Sequence, residues 1–83
     1  MTGDGVIIAG VVIETKAGAA PRVAARLLAE PGLELRGGDG DRRLAAVFTG
    51  EDGAALEALG ERLLRSDEEI LGLYPTFVGA EDA

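Results

Sequence analysis

The sequence contains no cysteine, histidine, asparagine, glutamine or tryptophan, and only three of its 83 residues are aromatic. Without cysteine there can be no disulfide, no thiolate metal site and no thiol redox chemistry. Without histidine, the usual zinc sites and histidine-based acid–base catalysis are excluded. We therefore expect no enzymatic activity and no cofactor.

Positive charge is also scarce. Eight lysine and arginine residues face 15 aspartate and glutamate residues, which gives a net charge of −7 and an isoelectric point near 4.4. Nucleic-acid binding needs a basic surface that displaces counterions from phosphates, so we expect no nucleic-acid partner. An acidic protein suits a cationic partner, although negative charge can also serve only to keep a small domain soluble.

Long apolar runs are absent as well. None approaches the roughly 20 residues that a membrane-spanning helix requires. Residues 1–5 lack the positive region with which a secretory signal begins. From this we expect a cytoplasmic protein without membrane insertion.

Four segments have the composition of β-strands, with branched and apolar residues between glycines and charged turns. They span residues 6–14, 33–36, 43–48 and 70–78. Asp39-Gly40 lies in a predicted hairpin loop between the second and third strands, where glycine supplies a positive φ. Pro75 predicts that the last strand is an edge strand, because proline cannot donate to a hydrogen-bond ladder.

Two segments have apolar residues at helical spacing. The first begins near Pro21, carries Val23 and Leu27 on one face, and is predicted to stop at Pro31-Gly32. The second follows residues 49–52, which have the form of a capping box. The resulting order, β-α-β-β-α-β, predicts a single α+β domain over residues 1–83 with flexible ends at 1–5 and 79–83. Right-handed crossovers fold this order into the ferredoxin-like arrangement, a four-stranded antiparallel sheet with two helices on one face.

Alternation along the strands predicts which side chains face the helices. The helix-facing set is Ile7, Ala9, Val11, Ile13, Leu33, Leu35, Leu44, Ala46, Phe48, Leu71, Leu73 and Phe77. The opposite, open face then carries Ile8, Gly10, Val12, Ala45, Val47, Ile70, Gly72, Tyr74, Thr76 and Val78, with Glu14, Glu34, Arg36 and Arg43.

The predicted open face is more apolar than a solvated sheet face should be. Contiguous exposed apolar surface usually marks an interface. Three small residues, Gly10, Ala45 and Gly72, would leave a shallow trough in which an amphipathic helix could lie. Self-association through the same face, or no binding role at all, are the alternatives at this point.

Several segments together resemble the NapD family. They are the apolar strand at 6–14, the Pro-Gly-Leu-Glu-Leu sequence at 31–35, the acidic helix start at 51–52 and the Glu-Ile-Leu-Gly-Leu sequence at 69–73. Each is common by itself, but their order and spacing cover nearly the whole chain. The proline at position 75 departs from the pattern expected for the last strand of that family.

The resemblance implies an assembly chaperone. Such a protein binds the twin-arginine signal peptide of the catalytic subunit of a periplasmic nitrate reductase, and delays export until the molybdenum cofactor has been inserted. The peptide is expected to lie as a helix across the sheet, with Glu14 and Glu34 as candidate partners of its arginines. The predicted peptide-binding residues are Ile8, Gly10, Val12, Glu14, Glu34, Ala45, Val47, Gly72, Tyr74 and Thr76.

A second interpretation belongs to a different class of protein. Regulatory modules of the ACT type share this strand order and bind amino acids near the first strand–helix loop. In this chain that loop spans residues 15–20. The alternative function is therefore a regulatory small-ligand-binding module.

Overall fold

The computed structural model describes residues 5–82, so residues 1–4 and 83, which belong to the predicted flexible ends, lie outside the described residues. The elements follow the predicted order. They are β1 (Gly5–Thr15), α1 (Ala20–Leu27), β2 (Leu33–Gly38), β3 (Arg43–Gly50), α2 (Gly53–Ser66) and β4 (Ile70–Asp82). Within this described part of the chain, neither helix is long and apolar enough to cross a membrane.

The four strands form one antiparallel sheet in the order β2-β3-β1-β4. This confirms the α+β, ferredoxin-like prediction. The two longest ladders run from β1 to its neighbours β3 and β4, so β1 is a central strand. β4 lies at an edge, as Pro75 predicted.

The core lies between the helices and one face of the sheet. The alternation predicted for the first three strands is confirmed there, since Ala9, Val11 and Ile13 of β1 are almost fully buried. Beside them are Leu33, Leu44, Ala46 and Phe48 from β2 and β3, with Ile7 and Leu35 partly buried against the cluster. The helices close this core with Ala20, Val23 and Leu27 from α1 and Leu56, Leu59 and Leu63 from α2.

The alternation predicted for β4 is partly wrong. Ile70 is buried rather than open, whereas Leu71 and Phe77 are 53% and 57% exposed rather than buried in the core. Val78 lies opposite Ala9, on the helix side of the sheet instead of the open face.

Two register shifts between β1 and β4 cause these differences. The partner of Val11 is Pro75, yet the partner of Gly10 is Phe77, which leaves Thr76 as an extra residue. A second shift, between Glu14 and Thr15, leaves Leu71 as an extra residue in the same way. Each extra residue in a bulge changes which face the following side chains occupy, so simple alternation fails across both positions.

The strands and helices also end at different residues from those predicted. β4 continues to Asp82, where a flexible tail from Gly79 was predicted. The first residues of β1 extend beyond the end of β3 and pair with this last part of β4. The N-cap of α2 is Asp52, whose side chain accepts from the Ala55 N–H at 3.0 Å, and not Thr49, which belongs to β3. Asp52 therefore supplies the cap that the predicted box assigned three residues earlier.

Helix α1 ends at Leu27, before the Pro31-Gly32 pair that was predicted to stop it. That pair instead turns the chain into β2. Gly32 has a φ of 78°, in the left-handed region. A Cβ at this position would lie 2.7 Å from the carbonyl oxygen of Thr49. Only glycine fits both the backbone angle and this close approach to β3.

Ion pairs join α1 to the loop between α2 and β4. Arg22 contacts Glu69 at 2.7 Å, and Arg26 contacts both Asp67 and Glu69 at 2.8 and 2.9 Å. Glu69 has a side chain that is only 25% exposed, and the hydrogen bonds from Arg22 and then Arg26 lower its pKa to about 2. These contacts attach the outer surface of α1 to the start of β4, on the side of the molecule opposite the open face.

This cluster predicts how stability depends on pH. A carboxylate whose folded-state pKa is depressed stabilises the fold fully above its unfolded-state pKa, near 4.3, and loses that contribution as the pH falls towards the folded-state value. For Glu69 the contribution should be lost from about pH 5 down to about pH 2. Glu69→Gln should therefore lower the urea midpoint at neutral pH and flatten its decline in acid.

Glu68→Gln is the matched control for that measurement. It removes the same charge from the neighbouring residue, whose side chain is exposed and forms no ion pair with the described side chains of residues 6–79. The urea midpoint should be followed by circular dichroism, because the protein has no tryptophan whose fluorescence could report unfolding. Parallel pH profiles for the two variants would contradict a specific role of the Glu69 cluster.

Candidate functional site

The open face is the side of the sheet that the helices leave uncovered. All ten predicted peptide-binding residues lie on it. Four of them alternate along β1 with the buried core residues, and β3 places Ala45 opposite Val12 and Val47 opposite Gly10. The register places the remaining four, Glu34, Gly72, Tyr74 and Thr76, beside these central positions.

The centre of the open face is apolar. Val12 of β1 lies between Ala45 of β3 and Tyr74 of β4, and Val47 lies one pair further along. Val12 and Val47 are half-buried by their neighbours, Ala45 is exposed, and Tyr74 is 53% exposed. Since a solvated face should alternate to polar residues, this patch is surface that lacks a cover within the described chain.

Phe77 belongs to the open face, although its predicted place was in the core. It pairs with Gly10 and is 57% exposed. Phenylalanine is also the largest purely apolar side chain on this face. The sequence signal that could have located it is Pro75, because prolines within strands accompany bulges as well as edges. A bulge directly after Pro75 would have moved Phe77 to the correct side.

Aromatic rings cover two of the three small residues that predicted a trough. The ring of Phe77 lies over Gly10, where a Cβ would overlap it, and Thr76 Oγ1 lies 2.8 Å from the same point. The phenol of Tyr74 lies over Gly72 in the same way. The open face therefore presents an aromatic ridge along β4 beside the lower surface of Val12, Ala45 and Val47.

The two candidate arginine-binding carboxylates already have cations close to them. Glu34 contacts Arg36 at 3.4 Å, with both side chains more than half exposed. Glu14 is the register partner of Arg43 on the neighbouring strand. The ion pair of Glu34 with Arg36 is exposed and therefore contributes little to stability.

The loop between β1 and α1, where a regulatory module would bind its ligand, is used by the fold itself. The N–H groups of Thr15 and Ala20 donate to the carbonyl oxygens of Arg42 and Asp41, and the Gly18 N–H donates to the Asp41 carboxylate at 2.6 Å. Thr15 and Ala20 are also almost fully buried. These donors face the β2–β3 loop and are not directed at an open cavity.

The β2–β3 loop is held in shape by its first carboxylate. Asp39 Oδ1 accepts from the backbone N–H groups of Asp41, Arg42 and Arg43 at 2.9 to 3.0 Å. Those N–H groups lower the pKa of Asp39, with Asp41 contributing most. The loop is thereby ordered by its own hydrogen bonds, and no group of three or more metal-ligating side chains occurs among residues 6–79, whose side chains the structure describes.

Comparison of the chain with protein-family models, with curated proteins and with solved structures finds no match. The function is therefore inferred from the residues and from the open face that they form.

Proposed function

We propose that this protein is a peptide-binding chaperone whose open face receives an amphipathic helix. The observation that carries the proposal is an exposed apolar surface on the face of the sheet that the helices do not cover. It is formed by Val12, Ala45, Val47, Tyr74 and Phe77. Burying such a surface against an apolar helix face releases water from both and supplies the main driving force.

The charge of the protein and the resemblance to NapD indicate the class of peptide. A net charge of −7 favours a cationic partner and steers its encounter. In this proposal the partner is the twin-arginine signal peptide of the catalytic subunit of a periplasmic nitrate reductase. The protein acts in the cytoplasm and delays export until the molybdenum cofactor is in place.

Within this proposal the two parts of the peptide have separate roles. Its apolar stretch packs beside the ridge of Tyr74 and Phe77, where two large aromatic groups offer contact area at low entropic cost. Its arginines approach Glu14 and Glu34, which lie at the border of the apolar surface on β1 and β2. The arginine contacts raise the association rate and the selectivity more than the affinity.

The regulatory small-ligand alternative has less support. It requires donors in the loop at 15–20 that are free to hold an amino acid, whereas those of Thr15, Gly18 and Ala20 bind the β2–β3 loop. Self-association through the open face remains the competing use of the same surface. Sedimentation of the free protein distinguishes it, because a dimer formed through this face would compete with the peptide.

The peptide proposal predicts one-to-one binding of a synthetic peptide that carries paired arginines followed by an apolar stretch. Replacing both arginines by glutamine should weaken binding. A higher salt concentration should weaken binding of the parent peptide more than binding of the glutamine peptide, because exposed charges are screened beyond about 8–10 Å at ordinary ionic strength. Titration calorimetry measures both effects.

The matched control is the peptide in which both arginines are replaced by lysine. It keeps the charge and loses the planar guanidinium fork, so it separates attraction between charges from bidentate recognition. Equal affinity of the arginine and glutamine peptides would contradict the electrostatic part of the proposal. Absence of binding by every peptide would contradict the whole.

A further inference from the structure

A second apolar surface lies on the other side of β4, between this edge strand and α2. It is a groove of about 500 Å³. One stripe of α2 lines it with Leu56, Gly60 and Leu64, and β4 lines it with Pro75 and Val78. Leu64 is 44% exposed and Val78 is 55% exposed, so the groove is open to solvent along its length.

The bulge at Thr76 is what creates this surface. Leu73 and Pro75 face the helices by ordinary alternation, and the extra residue keeps Val78 on their side of the strand. Without the bulge, Val78 would point to the open face as simple alternation predicted. The same irregularity therefore places Phe77 on one apolar surface and Val78 on the other.

The rim of the groove is acidic. Glu57 and Glu61 lie one helical turn apart on α2, both exposed, and both line the groove. Among the side chains of residues 6–79, neither of them forms an ion pair, whereas the neighbouring Arg62 is bound to Glu30 at 2.6 Å on another side of the helix. Two carboxylates without a cation beside an apolar channel are complementary to an apolar segment with flanking lysines or arginines.

The edge of β4 indicates the form of that segment. Pro75 lacks an N–H, and the bulge at Thr76 distorts the edge next to it, and both features disfavour the addition of another strand. The groove is therefore suited to an occupant that docks by its side chains. A helix achieves this with apolar residues three and four positions apart.

The geometry points to the α2–β4 groove as a docking site for a basic amphipathic helix of a partner protein, separate from the open face and independent of the function proposed for it. The apolar stripe of the partner packs on Leu64, Pro75 and Val78. Its basic flank lies along Glu57 and Glu61. Gly60 leaves the middle of the groove free because it has no side chain. A Cβ built there would lie in open space, with no atom beyond its own helix backbone within 4 Å.

Gly60→Leu tests this directly, because its side chain fills the groove without displacing any atom near the Cβ position. Leucine is also a better helix former than glycine, so the variant should remain folded. The probe is a blocked peptide of about 14 residues, close to four helical turns, built of leucine, alanine and lysine with leucine on one face. Its affinity is measured by calorimetry, and its position by amide chemical-shift changes.

The parent should bind the probe with shift changes centred on Gly60, Leu64 and Val78, and Gly60→Leu should weaken binding by about tenfold or more. Ala54→Leu is the matched control, since it adds the same side chain at an exposed position of α2 outside the groove lining. It should change the affinity by less than about twofold.

Charge variants separate the rim from the overall charge of the protein. The double variant Glu57→Gln with Glu61→Gln should weaken binding and reduce its salt dependence more than Glu51→Gln with Glu68→Gln, which removes the same charge elsewhere. Equal weakening by the two pairs would overturn the site, as would a probe that does not bind or that binds Gly60→Leu as tightly as the parent. A dimeric parent that Gly60→Leu converts to monomers would overturn it too, since a second copy would then occupy the groove.

Discussion

Val11→Glu should unfold the domain, whereas Val12→Glu should leave it folded and abolish peptide binding. Val11 is 2% exposed in the core, and a buried carboxylate without a partner costs several kcal/mol. That is comparable with the whole stability of a small domain, about 5–15 kcal/mol. Val12 points to the open face, so the same substitution there should cost about 1 kcal/mol or less.

Peptide binding should respond in the opposite order. In the complex, the glutamate at position 12 would be covered by the apolar stretch of the peptide without a partner, which makes binding unfavourable. Val12 is a better position than Val47 for this test, because Val47 lies opposite Glu34 and a glutamate there would add repulsion between like charges. Circular dichroism reports folding and calorimetry reports binding.

Two outcomes would contradict these expectations. If Val12→Glu unfolds the protein and Val11→Glu does not, the open face and the core have been exchanged. If Val12→Glu folds and still binds the peptide with parent affinity, the peptide does not lie on the open face. The α2–β4 groove would then be the first surface to examine for the same peptide.

Ile13→Ala should produce the largest loss of stability among simple truncations. Ile13 is fully buried on the central strand, between Leu44 of β3 and Leu73 of β4. Removing three carbon atoms from such a site loses their transfer free energy and leaves a cavity, at a cost of about 2–5 kcal/mol. Urea unfolding should show a lower midpoint with an unchanged slope.

Leu28→Ala is the control for that truncation. Leu28 lies just after α1 and is 77% exposed, so the same type of change should alter stability by no more than about 0.5 kcal/mol. Similar losses for the two variants would mean that Leu28 is covered in solution, as it would be in an oligomer. A small loss at Ile13 would contradict its place at the centre of the core.

Local patterns predicted the faces of the two strands that pair with each other without a register shift. β1 and β3 alternate without interruption from Ile7 to Glu14 and from Arg43 to Gly50, and their core residues were predicted correctly. The open-face positions on these strands followed from the same alternation. Glu14 and Arg43, both charged and paired with each other in register, identified the open side.

β4 was harder to predict because it is an edge strand. It has a single neighbour in the sheet, so bulges at Leu71 and Thr76 disturb only one ladder. No residue of the segment marks both bulges unambiguously, since Pro75 is compatible with a regular edge strand as well. Phe77 and Val78 were therefore assigned to the wrong faces, and the α2–β4 groove was not foreseen.

By itself the sequence determined the order of the elements, the faces of β1 and β3, and an acidic charge that suits a cationic partner, because these depend on local periodicity and composition. Only the tertiary structure decided where the bulges fall, that Phe77 covers Gly10, and that Arg22 and Arg26 bind Glu69. The residues in these contacts are more than 40 positions apart in the chain. Their distances are set by how helices and strands pack, which no local pattern contains.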